Sequence, residues 1–352
     1  MGIDSDFWAQ RRVLITGHTG FKGAWLSLWL QSLGAAVTGL SPGPPTRPSL
    51  YELAGVGANM REHAVDVRDA EEVREALGRS RPEIVLHLAA QPMVRRSLSD
   101  PAMTYEVNVL GTVNVLEAVR SAGGEARAVV VVTSDKCYEN PGGASRRFVE
   151  GDRLGGDDPY SSSKACAELV TAAYRTSFFS GEDCPRVATA RAGNVIGGGD
   201  WGEDRLLPDI VRAVAAGEPL RVRNPQAVRP WQHVLNPLSG YLRLAEELWR
   251  TNEAAKAWNF GPREDDVRTV SWVVERLAAL WGGALRWELD EASNPPEAGH
   301  LALDSSAAER GLGWRAAWDL EEALQRVVDW HEAHRLGEDM RRVSLEQIER
   351  FG

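Results

Sequence analysis

Apolar residues come in unbroken runs over the first half of the chain, and charged residues alternate with them only in the stretches between. "RVLIT" (Arg12 to Thr16) is β-branched and stops at glycine, which predicts a buried strand. Residues 21–33 read as an apolar helix. Further strands are predicted at "AVTGL" (Ala36 to Leu40), "REHAVDV" (Arg61 to Val67), "EIVLHLAA" (Glu83 to Ala90) and "RAVVVVTS" (Arg127 to Ser134). Between them lie an amphipathic helix, "AEEVREALGR", and a long helix over residues 99–122. Strands without alternation suit a parallel sheet covered on both faces, and strand–helix repetition gives a doubly wound α/β sheet with right-handed crossovers. After about residue 190 Pro, Trp and Arg become frequent and the strands shorten to "LRVRN", "AWNFG" and "LRWEL", among helices near 204–217, 236–250, 270–281 and 319–335. The expected organisation is a nucleotide-binding unit over 1–190 and a smaller mixed α/β lobe over 191–352, interleaved with the first and packed on the carboxyl edge of its sheet.

Composition narrows the function. The chain has 352 residues, 43% of them hydrophobic, which is enough for a sizeable core. Its net charge of −10 argues against a nucleic-acid or membrane-surface binder, because a polyanion would be repelled. Cys137, Cys166 and Cys184 have no metal-ligand spacing and read as reduced thiols, so no metal site and a cytoplasmic setting are expected.

The first strand runs into "GHTGFKG", with Gly17, Gly20 and Gly23 spaced G-x-x-G-x-x-G at the mouth of a helix. Glycine there permits a tight turn, close approach of backbone to a ligand and close helix–strand packing. The helix N-terminus then offers N–H groups and a positive dipole end to a pyrophosphate. The position of the turn after strand one predicts a Rossmann-type dinucleotide site, with Phe21 in the turn and His18 and Lys22 as candidate cations near phosphate. Either cation equally suits a turn residue or a surface lysine. Asp66 and Val67 after strand three, and Leu88, Ala89 and Ala90 at the end of strand four, are the further candidates for cofactor contact. No acid follows strand two, where a ribose hydroxyl is usually bound. Ser41, Pro42 and Gly43 stand there, with Arg47 in the same loop, so NAD and NADP are both open on these residues.

Chemistry is predicted at the end of strand five. "VTSDKCYEN" places Thr133, Ser134, Asp135 and Lys136 together, and "DPYSSSKACAELV" places Tyr160 and Lys164 four apart on one helical face. An ammonium beside a phenol favours the tyrosinate, which takes a proton from a hydroxyl whose carbon loses hydride. Thr133 or Ser134 would orient that hydroxyl. Asp135 and Lys136 exceed what a dehydrogenase needs. An acid and a base there suit elimination of water, since oxidation of a sugar at carbon 4 makes the proton on carbon 5 acidic.

"TGHTGFKG", "HLAAQPMVRRS", "VTSDKCYEN", "PYSSSK", "RAGNVIGGGDW" and "VRPWQHV" occur in this order, from Phe7 to beyond Leu303. Together they resemble the CDP-glucose 4,6-dehydratases, extended short-chain dehydrogenases/reductases acting on nucleotide sugars. The resemblance implies a CDP-hexose substrate, an NAD that is cycled and not consumed, and a soluble homodimer, with pairing into tetramers left open. It implies Tyr160 as the active-site base with Lys164 as its partner. Ser134 stands where related TDP-sugar dehydratases carry Thr, Asp135 matches their acid, and Lys136 stands where they carry a glutamate base. The family uses NAD despite lacking the ribose acid. In the second lobe Asn194, Arg205 and Arg229 are the implied contacts to sugar and diphosphate, with Arg95, Arg223 and His233 as further candidates; guanidinium suits phosphate oxygens. A 4-epimerase of the same fold, and a cofactor-binding protein without turnover, are the rival readings. The first needs no acid–base pair at 135 and 136.

Overall fold

The computed structural model describes residues 2–123, 125–140, 146–283, 285–290 and 300–352. Its centre is a seven-stranded sheet built from β1 (Arg12–Thr16), β2 (Ala36–Leu40), β3 (Arg61–His63), β4 (Ile84–His87), β5 (Ala128–Val132), β6 (Arg186–Ala192) and β7 (Ala257–Phe260). The strands lie in the order β7-β6-β5-β4-β1-β2-β3, and every pairing is parallel. Val, Ile, Leu and Ala fill the strands, and all are buried except at some strand starts and along β3, because helices cover both faces. The chain reverses direction across the sheet beside β1. Thr16 pairs with both Leu40 and His87, so the residues that follow all three open into one crevice.

Four helices alternate with the early strands: α1 (Phe21–Ser32), α2 (Ala70–Ser80), α3 (Gly111–Ser121) and α4 (Pro159–Ser177). The second lobe adds α5 (Leu206–Ala216), α6 (Leu235–Arg250), α7 (Val270–Leu280), α8 (Leu320–Arg335) and α9 (Met340–Phe351). Its own core gathers Ile196, Ile210, Trp231, Val273, Leu277, Leu324 and Val327.

β6 is absent from the pattern reading, and three further elements differ from it. The third strand stops at His63, because the backbone turns there: both Ser41 and Val65 donate their N–H to the His63 carbonyl. The long helix over 99–122 is broken. Asp100 caps a new start at Pro101, and residues Glu106–Leu110 form a wide π turn before α3. "AWNFG" is the outermost strand of the main sheet, with Ala257–Phe260 paired to Thr189–Ala192. The second half of the chain therefore returns to the first. α6 packs behind β5 and β6, and α9 lies on α1, where Phe351 meets Trp29 edge-on at 5.5 Å. One apolar core runs through both halves of the sequence.

Candidate active site

Gly17 leaves β1 with φ +74°, a left-handed conformation, and a Cβ there would lie 2.9 Å from the Ala89 backbone. Gly23 sits one turn into α1, where a Cβ would collide with the Gly17 carbonyl oxygen. The close contact of turn, helix and β4 thus excludes side chains at both positions. Gly20 is the N-cap of α1 and supplies no side-chain cap, so no cap side chain competes for the first N–H groups of the helix. This is a cradle that fits a dinucleotide pyrophosphate, with Leu88, Ala89 and Ala90 beside it. Gly23→Ala should force the turn open. We expect at least about tenfold weaker dinucleotide binding by titration calorimetry and a melting temperature several degrees lower, an effect of about 1–3 kcal/mol.

The two basic residues of the turn go elsewhere. His18 is 2% exposed, lies against Gly39 of β2, and its Nε2 hydrogen-bonds Glu62 Oε1 at 2.7 Å. Tyr51 donates to the same oxygen at 2.6 Å. The imidazole is thus an internal tie between β1, β2 and β3. Lys22 reaches the chemical centre: its ammonium feels Arg205, Asp135 and Lys164, and burial holds its pKa down at about 8. Phe21 packs beside Gly197, and Trp25 Nε1 donates to the Gly198 carbonyl at 3.0 Å, so the "VIGGGDW" segment covers the start of α1. After β2, Ser41 hydrogen-bonds Thr19 at 2.6 Å, and exposed Arg47 pairs with Glu52. Asp66 is held by Arg68, and Val67 packs under Gly111.

At the end of β5 the hydroxyls of Thr133 and Ser134 part company. Thr133 donates to buried Glu168, while Ser134 donates to Asp135 Oδ1 at 3.0 Å and acts on the Tyr160 phenol, lowering its pKa. Ser134 is therefore the hydroxyl that faces Tyr160. Asp135 is 2% exposed, and its Oδ2 has no hydrogen-bond partner among the described residues. That oxygen presses on Gly193, where a Cβ would sit 2.6 Å away. Burial raises the Asp135 pKa, against the opposing charges of Lys136, Lys22 and Arg229 and the Ser134 hydrogen bond. Burial also pushes Tyr160 up to about 12, with the Ser134 hydrogen bond and the Arg205 charge working the other way. Lys164 is held down at about 8, again by burial, with Glu168 opposing. Its Nζ donates to the Val132 carbonyl at 3.5 Å.

Two supporting networks escaped the sequence reading. Asn108, inside the π turn, donates to the Gln91 carbonyl at 3.1 Å and to Ser163 Oγ at 2.8 Å. Ser163 in turn donates to the Tyr160 carbonyl at 2.7 Å, and the Tyr160 N–H donates to Ser97. Glu168 accepts from Thr133, Thr189 and Arg191, tying α4 to the ends of β5 and β6. Its spacing, one turn beyond Lys164 on the same face, was the available signal. Nothing in the sequence marks Asn108.

The second lobe delivers its arginines unequally. Arg229, 7% exposed on the strand Val228–Pro230, acts electrostatically on Asp135. Arg205, at the start of α5, pairs with Asp200 Oδ2 at 3.0 Å and bears on Tyr160 and Lys22. The carbonyl of Asn194 accepts from Gln232 at 3.3 Å, where the chain leaves β6. Arg95 and Arg223 meet elsewhere, at Asp204. His233 is fully buried between Trp25 and Trp318, at ring distances of 6.0 and 4.8 Å, and burial lowers its pKa to about 3. It is a neutral core residue closed off from the crevice, so the substrate contact expected of it is set aside.

The sequence matches the family described as GDP-mannose 4,6 dehydratase over residues 14–327. It is 49% identical to the CDP-glucose 4,6-dehydratase of Salmonella typhimurium, covering 98% of this chain and 97% of that one. Identity to the dTDP-glucose 4,6-dehydratase of Neisseria meningitidis serogroup B is 26%, over 92% of this chain and 93% of the other. Among solved structures, the UDP-glucose 4-epimerase of Thermus thermophilus in complex with NAD superposes with a TM-score of 0.77 at 26% identity, covering 91% and 98% of the two chains.

Proposed function

The chain belongs to the GDP-mannose 4,6 dehydratase family, and from that premise we propose that it converts CDP-glucose to CDP-4-keto-6-deoxyglucose with NAD as a resident cofactor. The observation that carries this reading is the buried Asp135 carboxyl with its unpartnered oxygen, set beside Lys136, Ser134 and Tyr160. A 4-epimerase has no use for a proton donor and a base at these two positions.

Gly17, Gly20, Gly23, Asp66, Val67 and Leu88 to Ala90 would hold the dinucleotide, with Lys164 beside its ribose. NAD supplies a hydride acceptor at carbon 4 and the same hydride for carbon 6. Ser134 orients the carbon-4 hydroxyl and Tyr160 takes its proton. Lys136 removes the proton from carbon 5. Asp135, whose pKa is raised by burial, protonates the hydroxyl leaving carbon 6, which departs as water. Lys136 then returns a proton to carbon 5, and Tyr160 keeps the carbon-4 oxygen hydrogen-bonded as a ketone. Arg229 and Arg205 bind the diphosphate from the second lobe, and Asn194 the sugar or its phosphate.

The test is incubation with CDP-, TDP-, UDP- and GDP-glucose, following the alkali-sensitive ultraviolet absorbance of a 4-keto sugar. The highest kcat/KM is expected with CDP-glucose. A higher value with another nucleotide overturns the assignment of the base, and conversion to a 4-epimer without the keto product favours the epimerase.

A homodimer fits the same reading. Leu110 at the end of the π turn and Leu169 on α4 are 55% and 58% exposed on adjoining helices, an apolar face that the sheet does not cover. Leu169→Glu should give a monomer in sedimentation; an unchanged dimer would show that pairing uses another face.

A further inference from the structure

Asp204 stands at a junction of cations. Arg95 Nη1 lies 3.4 Å from its Oδ1, and Arg223 Nη1 lies 3.5 Å from the same oxygen. Arg223 Nη2 also donates to the Asp204 backbone carbonyl at 3.4 Å. The two arginines come from opposite lobes: Arg95 from the helix Val94–Ser99 after β4, Arg223 from the end of the strand Leu220–Val222. All three line one cleft of about 400 Å³, together with Arg212 and Arg221 and the carboxylates of Asp209, Glu218 and Asp290. Asp204 adopts φ +56°, a left-handed conformation uncommon for a residue with a side chain.

A carboxylate bridging two guanidiniums at these distances is a loose contact. A charge-assisted hydrogen bond to carboxylate or phosphate is normally shorter, near about 2.7–2.9 Å. The pairs are also partly exposed, at 39% for Arg95, 22% for Arg223 and 37% for Asp204, and ion pairs of that kind add little stability. A diphosphate carries more charge and more oxygens in a geometry that guanidinium accepts. We propose that Asp204 is an internal counter-ion that holds Arg95 and Arg223 across the cleft until a phosphate of the nucleotide, on its way to Arg205 and Arg229, displaces it. Asp204 then sets substrate affinity by competition, without touching the reacting carbons. This extends the nucleotide-sugar reading above and rests on it only for the source of the diphosphate.

The experiment is titration calorimetry of the wild-type protein and Asp204→Asn with inorganic pyrophosphate and with CDP. Asparagine keeps the size of the side chain and tolerates the left-handed backbone. We expect Asp204→Asn to bind both ligands about three- to tenfold more tightly at low salt, with the gain shrinking as salt rises. Cytidine, which has no phosphate, should show no difference. Equal or weaker binding of pyrophosphate by Asp204→Asn overturns the proposal, and so does a lack of pyrophosphate binding by both proteins. Pyrophosphate has neither base nor sugar, so a wrong choice of nucleotide cannot produce or hide this outcome.

Discussion

Tyr160→Phe should lower kcat on CDP-glucose by about 10³-fold, within the range general acid–base groups contribute, and change KM by no more than about threefold. The substitution removes one oxygen. It leaves the backbone ties of Tyr160 to Ser97 and Ser163 in place, along with the Asn108 bridge behind them, so the helix start keeps its position. What disappears is the group to which we assign the carbon-4 proton. Burial alone works against that role, since it lifts Tyr160 to about 12. The opposing influences in the protein are the Ser134 hydroxyl and the Arg205 guanidinium, and a bound dinucleotide adds a positive ring. Arg205→Lys, which keeps charge but loses the planar fork, should therefore leave the pH profile nearer wild type than Arg205→Met. Steady-state kinetics with a circular-dichroism check on folding decides the matter. Turnover within about tenfold of wild type in Tyr160→Phe would remove Tyr160 from the chemistry.

Four of the first five strands were legible because they are buried on both faces and show as unbroken apolar runs; β3, exposed at Arg61 and Glu62, is the exception. Ala257–Phe260 was not legible as part of the same sheet. A short segment with one Trp carries no sign of its partner, and the partner lies far earlier in the chain, in β6. The chemical centre was readable where adjacency or helical spacing fixes it, as with Ser134, Asp135 and Lys136, or Tyr160 and Lys164. It was unreadable where direction decides. A histidine among glycines and another beside a tryptophan both suggest ligand contact, yet His18 and His233 are buried ties within the fold. Lys22 suggested a phosphate cation at the turn, and its side chain instead joins the group around Asp135. The π turn at Glu106–Leu110 is invisible in local sequence because tertiary hydrogen bonds of Asn108 anchor it to Gln91 and Ser163.

Asp135→Asn separates elimination from the steps before it. Asparagine still accepts the Ser134 hydrogen bond through its oxygen but has no acidic proton to give to the departing hydroxyl. We expect kcat for the 4-keto-6-deoxy product to fall by about 10²–10⁴-fold with binding of CDP preserved. Lys136 remains, so exchange at carbon 5 continues. CDP-glucose recovered from heavy water should then carry deuterium at carbon 5, and the double change Asp135→Asn with Lys136→Met should lose that label. Stability moves the opposite way. Because burial raises the Asp135 pKa, the folded state holds this proton to a higher pH than the unfolded chain does. The group therefore favours folding below its unfolded pKa and disfavours it once pH has risen through the folded value. Neutral pH lies above the unfolded carboxylate pKa, where the wild-type protein is losing that contribution and Asp135→Asn has none to lose, so the inactive variant should melt at an equal or higher temperature. Product formation within about threefold of wild type, or deuterium at carbon 5 that survives Lys136→Met in the double variant, would reassign the acid and the base of the elimination.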